Sequence, residues 1–142
     1  MQFGIFDMMF QDFHGAEATK PARQAVLIVE DERISRRALA LLMSASGYPT
    51  QAVASAEEAL KVLKQGETPA IALVDLDLPG MSGAELLEYL NQKAPPIKTV
   101  LVTAACEERV AKLTEGAPLP YFRKPIDLNA LLRTLAESPA RN

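Results

Sequence analysis

The sequence predicts an α/β fold in which five parallel strands, in the order 2-1-3-4-5, carry helices on both faces. Short apolar runs rich in β-branched residues alternate with helical periodicities five times along the chain. The runs at 25–30, 70–75 and 97–103 lack polar alternation, which marks strands covered on both faces. Gly47, Gly66 with Pro69, and Pro95 with Pro96 stop three of the helices, so the units join by short connections. Right-handed crossovers onto a parallel sheet then give the doubly wound order.

The first strand is AVLIVE at 25–30. The helix after it, RISRRALALLMSASG, places Ile34, Ala38, Leu41, Leu42 and Ala45 at helical spacing and stops at Gly47. TQAV at 50–53 is a short second strand. Ser55 with Glu58 opens the second helix as a capping box, and Ala56, Ala59, Leu60 and Leu63 form its stripe. The third strand, AIALVD at 70–75, leads through a turn at 76–81 to Ser82 and Glu85, a second capping box. Leu86, Leu87 and Leu90 give that helix its inner face. IKTVLVT at 97–103 is the fourth strand and 105–115 a shorter, less apolar helix. YFRK at 121–124 is the fifth strand, closed by Pro125, and Asp127 caps a last helix with the stripe Leu128, Leu131, Leu132 and Leu135.

Composition narrows the function. With 142 residues and 49% apolar content the chain can bury one ordinary core. A net charge of −3 gives no electrostatic reason for direct nucleic-acid binding. Cys106 is the single cysteine and His14 the single histidine, which removes an internal disulfide, a zinc cluster and a histidine dyad in the core. No apolar run approaches the ~20 residues of a membrane span. No Lys or Arg precedes Lys20, unlike a secretory leader, so a reducing cytoplasm is the expectation. Residues 1–24 read as an extension and linker, with an amphipathic helix expected over 3–13. There Phe3, Phe6, Met9, Phe10 and Phe13 share one face, with Ile5 at its edge and Asp7, Gln11 and His14 opposite. Such a stripe suits docking on its own domain, a homodimer or another protein. The domain proper spans 25–137, and 138–142 form a C-terminal tail.

In a doubly wound sheet the ligand crevice lies at the carboxyl ends of the strands. The residues there are Glu30 and Asp31 after the first strand, Asp75 after the third, Thr103 after the fourth and Lys124 after the fifth. Three close carboxylates repel one another and would raise a pKa unless a cation intervenes. Mg²⁺ suits oxygen ligands and keeps waters for phosphate oxygens. Lys124 can hold a phosphoryl oxygen and Thr103 can donate to another. Asp75, exposed at the turn, is then the candidate in-line nucleophile. Taken singly, Asp31 also suits a helix cap, Lys124 an ordinary surface lysine and Thr103 an ordinary strand residue. The coincidence of successive strand ends favours the site.

VLIVEDE, LVDLDLPGMSG, VLVTA and YFRKP resemble the signature segments of the response-regulator receiver domain of two-component signalling, over about Gln24 to Ala136. The resemblance implies a flavodoxin-like (βα)5 fold and a signalling module, not a turnover enzyme. It implies that Asp75 is phosphorylated by a histidine kinase or histidine phosphotransfer protein. Glu30, Asp31, Asp75 and the backbone carbonyl of Asp77 would then hold Mg²⁺. It further implies a cis Lys124–Pro125 bond, a switch made of Thr103 and Tyr121, and a downstream protein partner that reads the face of the fourth helix, fifth strand and fifth helix.

The chain departs from that pattern between Thr103 and Lys124, where the helix is short and GAPLPYFRKP carries Pro118 and Pro120. Asp77 is a second departure, since its carboxylate would stand at the mouth of the site. The Asp75–Asp77 pair also fits an aspartyl-phosphate phosphatase of the haloacid-dehalogenase type, with Asp75 as nucleophile and Asp77 as general acid. Order opposes that alternative, because the acidic pair Glu30 and Asp31 precedes the D-x-D here.

Overall fold

The computed structural model describes residues 24–65, 68–78, 80, 83–92, 97–114 and 119–137. The elements follow the expected alternation: β1 (Val26–Val29), α1 (Arg33–Ala45), β2 (Thr50–Val53), α2 (Ala56–Lys64), β3 (Ile71–Val74), α3 (Gly83–Asn91), β4 (Lys98–Thr103), α4 (Glu107–Leu113), β5 (Tyr121–Arg123) and α5 (Leu128–Ala136). All strand pairs are parallel and the sheet order is β2-β1-β3-β4-β5. The extension up to residue 23, the stops at Gly66, Pro95 and Pro96, Pro79 of the turn, Ser82 of the second capping box, Pro118 and the tail from 138 lie outside the described residues.

The period-two geometry of β1, β3 and β4 divides the core in two. Leu27, Val29, Ala72, Val74 and Leu101 pack with Ala56, Ala59 and Leu63 of α2, Leu86 and Leu90 of α3, and Val110 of α4. Val26, Ile28, Ile71, Leu73, Val100 and Val102 pack with Leu39 and Met43 of α1 and Leu131 and Leu135 of α5. β1 and β3 are apolar at every position, and β4 at Val100, Leu101 and Val102, because each face meets helices.

Local signals set the helix ends. The Ser55 hydroxyl accepts from the Glu58 amide at 3.0 Å, while the Glu58 carboxylate accepts from Ala54, one residue before the cap. Asp127 accepts from Ala130 and caps α5 as expected. Gly47, at φ +95°, lets the chain turn out of α1, its amide bonded to Ser44. Lys98 of β4 donates to the carbonyls of Thr134 and Glu137, closing the far end of α5.

One expectation fails. The stripe Ile34, Ala38, Leu41, Leu42 and Ala45 of α1 faces outward, and Leu39 and Met43 are the buried residues. The run is Ala or Leu at every position from 38 to 42, so two faces satisfy helical spacing. Arg36 decides between them. It shares a face with Leu39 and Met43, and its guanidinium donates to the carbonyls of Glu30 and Asp31 at 3.0 and 3.2 Å. That anchor turns its own face toward the sheet.

Gly83 opens α3 against the loop that leaves β3. A Cβ there would lie 2.7 Å from the Asp75 carbonyl oxygen and from the Leu76 Cα. Both neighbours are backbone and cannot swing aside. Gly83→Ala is expected to destabilise the fold by about 1–3 kcal/mol, the usual cost of overpacking, measured by urea unfolding.

Candidate functional site

The crevice forms where β1, β3, β4 and β5 end together. Parallel register places Val29 beside Val74, so Glu30 and Asp75 follow side by side, and Thr103 pairs with Arg123, one residue before Lys124. Backbone bonds fix these ends. The Asp75 amide donates to Val29, the Glu30 amide to Val53 and the Lys124 amide to Thr103. Five residues expected at strand ends therefore meet at one rim, carried by rigid elements.

Lys124 is the centre of the arrangement. Its ammonium donates to Glu30 Oε1 at 2.6 Å and to Asp75 Oδ2 at 3.2 Å. The Lys124–Pro125 peptide is cis, as the family resemblance implied. Glu30 Oε2 accepts from the Glu32 amide, and Asp75 Oδ1 accepts from the Asp77 amide. Glu30, Asp31 and Asp75 each bring a carboxylate oxygen within 4.8 Å of the others. Thr103 is wholly buried, and its hydroxyl accepts from the Ala105 amide at 3.1 Å.

The electrostatics follow from burial and crowding. Burial pushes the Glu30 carboxyl above the usual carboxylate range, and the Asp75 charge adds to this, against the Lys124 and Glu32 hydrogen bonds. Burial pulls the Lys124 ammonium down, but the hydrogen bonds and charges of Glu30 and Asp75 outweigh it and leave its pKa raised. Three acids thus face one ammonium. The surplus negative charge, the oxygen-only donor set and the separation of those oxygens fit a small hard divalent cation such as Mg²⁺.

Two details correct the sequence reading. Asp75 is not exposed at the turn; it is 6% exposed. Sheet pairing explains this, because its own amide completes the ladder to Val29. The cap of α1 is Glu32, whose carboxylate accepts from the Ser35 amide, and not Asp31. The Ser35 bonds hold the Glu32 carboxyl below its ordinary range. Asp31 remains exposed at the rim, beside Glu30 and Asp75. Glu is not among the residues that usually cap a helix, so local pattern alone does not mark Glu32 as the cap.

The structure also shows a neighbour that sequence reasoning missed. Arg109 of α4 pairs with Asp77 Oδ1 at 2.7 Å. The Asp77 carboxylate is therefore drawn toward α4, while its amide serves Asp75. Nothing in the spacing of Asp77 and Arg109 signals this pair, which depends on how α4 packs. Tyr121 is half-buried and packs against the core on the side of Leu101, Ala105 and Val110.

Residues 26–136 match the response regulator receiver domain family. A Thermotoga maritima protein named cyclic di-GMP phosphodiesterase is 37% identical over 118 residues, covering 82% of this chain and 31% of that protein. Response regulator protein FleR of Pseudomonas aeruginosa is 37% identical over 113 residues, covering 78% of this chain and 24% of that protein. The chain thus spans less than a third of either relative. Among solved structures, response regulator protein TrrA of Thermotoga maritima, in complex with Mg²⁺-BeF, aligns with a TM-score of 0.67 at 27% identity. The alignment covers 79% of this chain and 98% of that one.

Proposed function

The chain belongs to the response regulator receiver domain family, and on that premise we propose that Asp75 is its phosphoacceptor and that 25–137 form the receiver unit. The observation that carries this reading is the Lys124 ammonium bridging buried Glu30 and Asp75 at one rim. A carboxylate oxygen of Asp75 attacks phosphorus in line, forming the acyl phosphate, while the phosphorus–nitrogen bond to a donor histidine breaks and the imidazole keeps the bonding pair. The donor is a histidine kinase or a histidine phosphotransfer protein. Lys124, already beside Asp75, holds the incoming phosphoryl charge, and Thr103 turns its hydroxyl toward a phosphoryl oxygen. Mg²⁺ held by Glu30, Asp31, Asp75 and the Asp77 carbonyl would supply charge neutralisation at the phosphoryl oxygens.

The output follows from differential stabilisation of two states. Thr103 lies two register positions beyond Leu101, the partner of Tyr121 in the β4–β5 ladder. A shift of Thr103 toward the phosphoryl group favours an inward Tyr121 and alters the α4–β5–α5 surface that a downstream protein reads. The phosphatase alternative asks Asp77 to act as general acid, yet its carboxylate is held by Arg109. Incubation with a small phosphodonor and Mg²⁺ separates the two. The receiver reading expects one acyl phosphate per chain; sustained turnover of phosphomonoesters would overturn it.

The Asp77–Arg109 pair bears on the lifetime of that phosphate. With Arg109 present the Asp77 charge is partly balanced at the mouth of the site. Arg109→Ala releases the carboxylate and is expected to change the rate of phosphate loss several-fold, whereas Asp77→Asn in the Arg109→Ala background cancels the change. Measured single-exponential decays of the labelled protein check this; equal rates in all three proteins would remove any role for the pair.

A further inference from the structure

Among the described residues the exposed large apolar side chains are Ile34 at 74%, Leu41 at 40% and Leu42 at 39%. All stand on one face of α1, together with exposed Ala38 and Ala45. The same helix carries Arg33, Arg36 and Arg37 and no acid. Arg36 is engaged with backbone carbonyls below the helix. Arg33 and Arg37 lie along one flank of the apolar face. A stripe of this length beside basic residues is a surface shaped for an apolar, acidic helix.

We propose that residues 3–13 of this same chain are that helix and lie along α1. The path of the chain argues for it. The Val26 amide bonds to the Pro49 carbonyl, and the Tyr48 amide to Met43, so the chain enters β1 at the end of the sheet where α1 finishes. Residues 14–23 need only bridge from the C-terminal end of α1 to that entry point. Extended, they reach about 33 Å, whereas the 13 residues of α1 span about 20 Å. Tethering makes the encounter intramolecular, at a millimolar order of effective concentration. The patterns also match in length and size. With the two helices parallel, Phe13, Phe10, Phe6 and Phe3 meet Ala45, Leu42 with Leu41, Ala38 and Ile34, rings against small or branched side chains. Charge is complementary, because the segment holds Asp7 and Asp12 and no Lys or Arg before Lys20.

The test uses the full chain. In a Cys106→Ser background, Phe10→Cys with Leu42→Cys is expected to form a disulfide within a monomer under mild oxidation, read by gel mobility and light scattering. Separately, Phe6→Glu and Leu41→Glu are each expected to lower Tm by at least about 3 °C, and together by no more than either alone. A disulfide between two chains, with a dimer mass, would show that a second copy fills the face and overturn the proposal. Absence of any disulfide, or Tm unmoved by the Glu variants, would overturn it as well. The proposal does not use the phosphoacceptor reading, so either can fail without the other.

Discussion

Replacing Asp75 with Asn is expected to abolish covalent labelling by a small phosphodonor, with a fall of at least about 10²-fold in labelled protein. Asn keeps a carbonyl oxygen to accept from the Asp77 amide, so the turn after β3 is retained. What disappears is the nucleophilic oxygen and one of three charges that fit a divalent cation. No neighbouring acid can replace it. Glu30 is 2% exposed and pinned by Lys124 and the Glu32 amide, and Asp31 is exposed, whereas Lys124 contacts Glu30 and Asp75. Mass spectrometry of the treated protein, with circular dichroism to show an intact fold, gives the answer. Undiminished labelling of Asp75→Asn would place the phosphoryl group elsewhere.

Lys124→Met is expected to give the largest loss of stability at the site. Met keeps the length of the side chain and removes the ammonium, so Glu30 and Asp75 are left buried side by side with no cation. Removing one partner of a buried ion pair costs roughly 3–5 kcal/mol, and the low end applies because 23% of the Lys124 side chain is exposed. At about 2–4 °C per kcal/mol, Tm falls by roughly 10 °C. Mg²⁺ is expected to restore part of that loss, more than it adds to the wild type, because it would supply the missing positive charge. Labelling stays low even with the ion, since the phosphoryl oxygens lose their lysine.

The pH dependence has a definite sign. The Lys124 pKa is raised in the fold, so its contribution is full below the unfolded lysine value and is lost as pH rises through the folded value. The Glu30 pKa is also raised, so its contribution is favourable below the ordinary carboxylate range and fades as pH rises through the folded value. Lys124→Met is therefore expected to remove the alkaline loss and to gain more stability on acidification than the wild type, because Glu30 no longer has the Lys124 hydrogen bond that favours its charged form. Thermal unfolding from mildly acidic to alkaline pH measures both. A variant that gains no more stability on acidification than the wild type would contradict the pairing.

Much of this molecule is readable along the chain. Apolar runs without alternation located β1, β3 and β4, because a strand covered on both faces has no position where a polar side chain meets water. Ser55 and Asp127 located helix starts, because a cap is a bond between residues three apart. The same locality made Glu30, Asp31, Asp75, Thr103 and Lys124 visible as strand-end residues, and parallel order then required them to meet.

What the chain did not reveal depends on contacts between distant segments. The inward face of α1 is one case: its sequence permits two faces, and only the Arg36 bonds to Glu30 and Asp31 and the packing of Leu39 and Met43 under the sheet choose. The Asp77–Arg109 pair is another, joining a loop after β3 to a helix after β4 through the geometry of their packing. The burial of Asp75 is a third, since ladder bonding to Val29 holds its backbone at the end of the sheet. Periodicity, caps and strand-end chemistry act over a few residues and belong to the sequence. Rotation of a helix, pairing across elements and the burial of a charge are set by long-range packing, so the tertiary structure alone decided them.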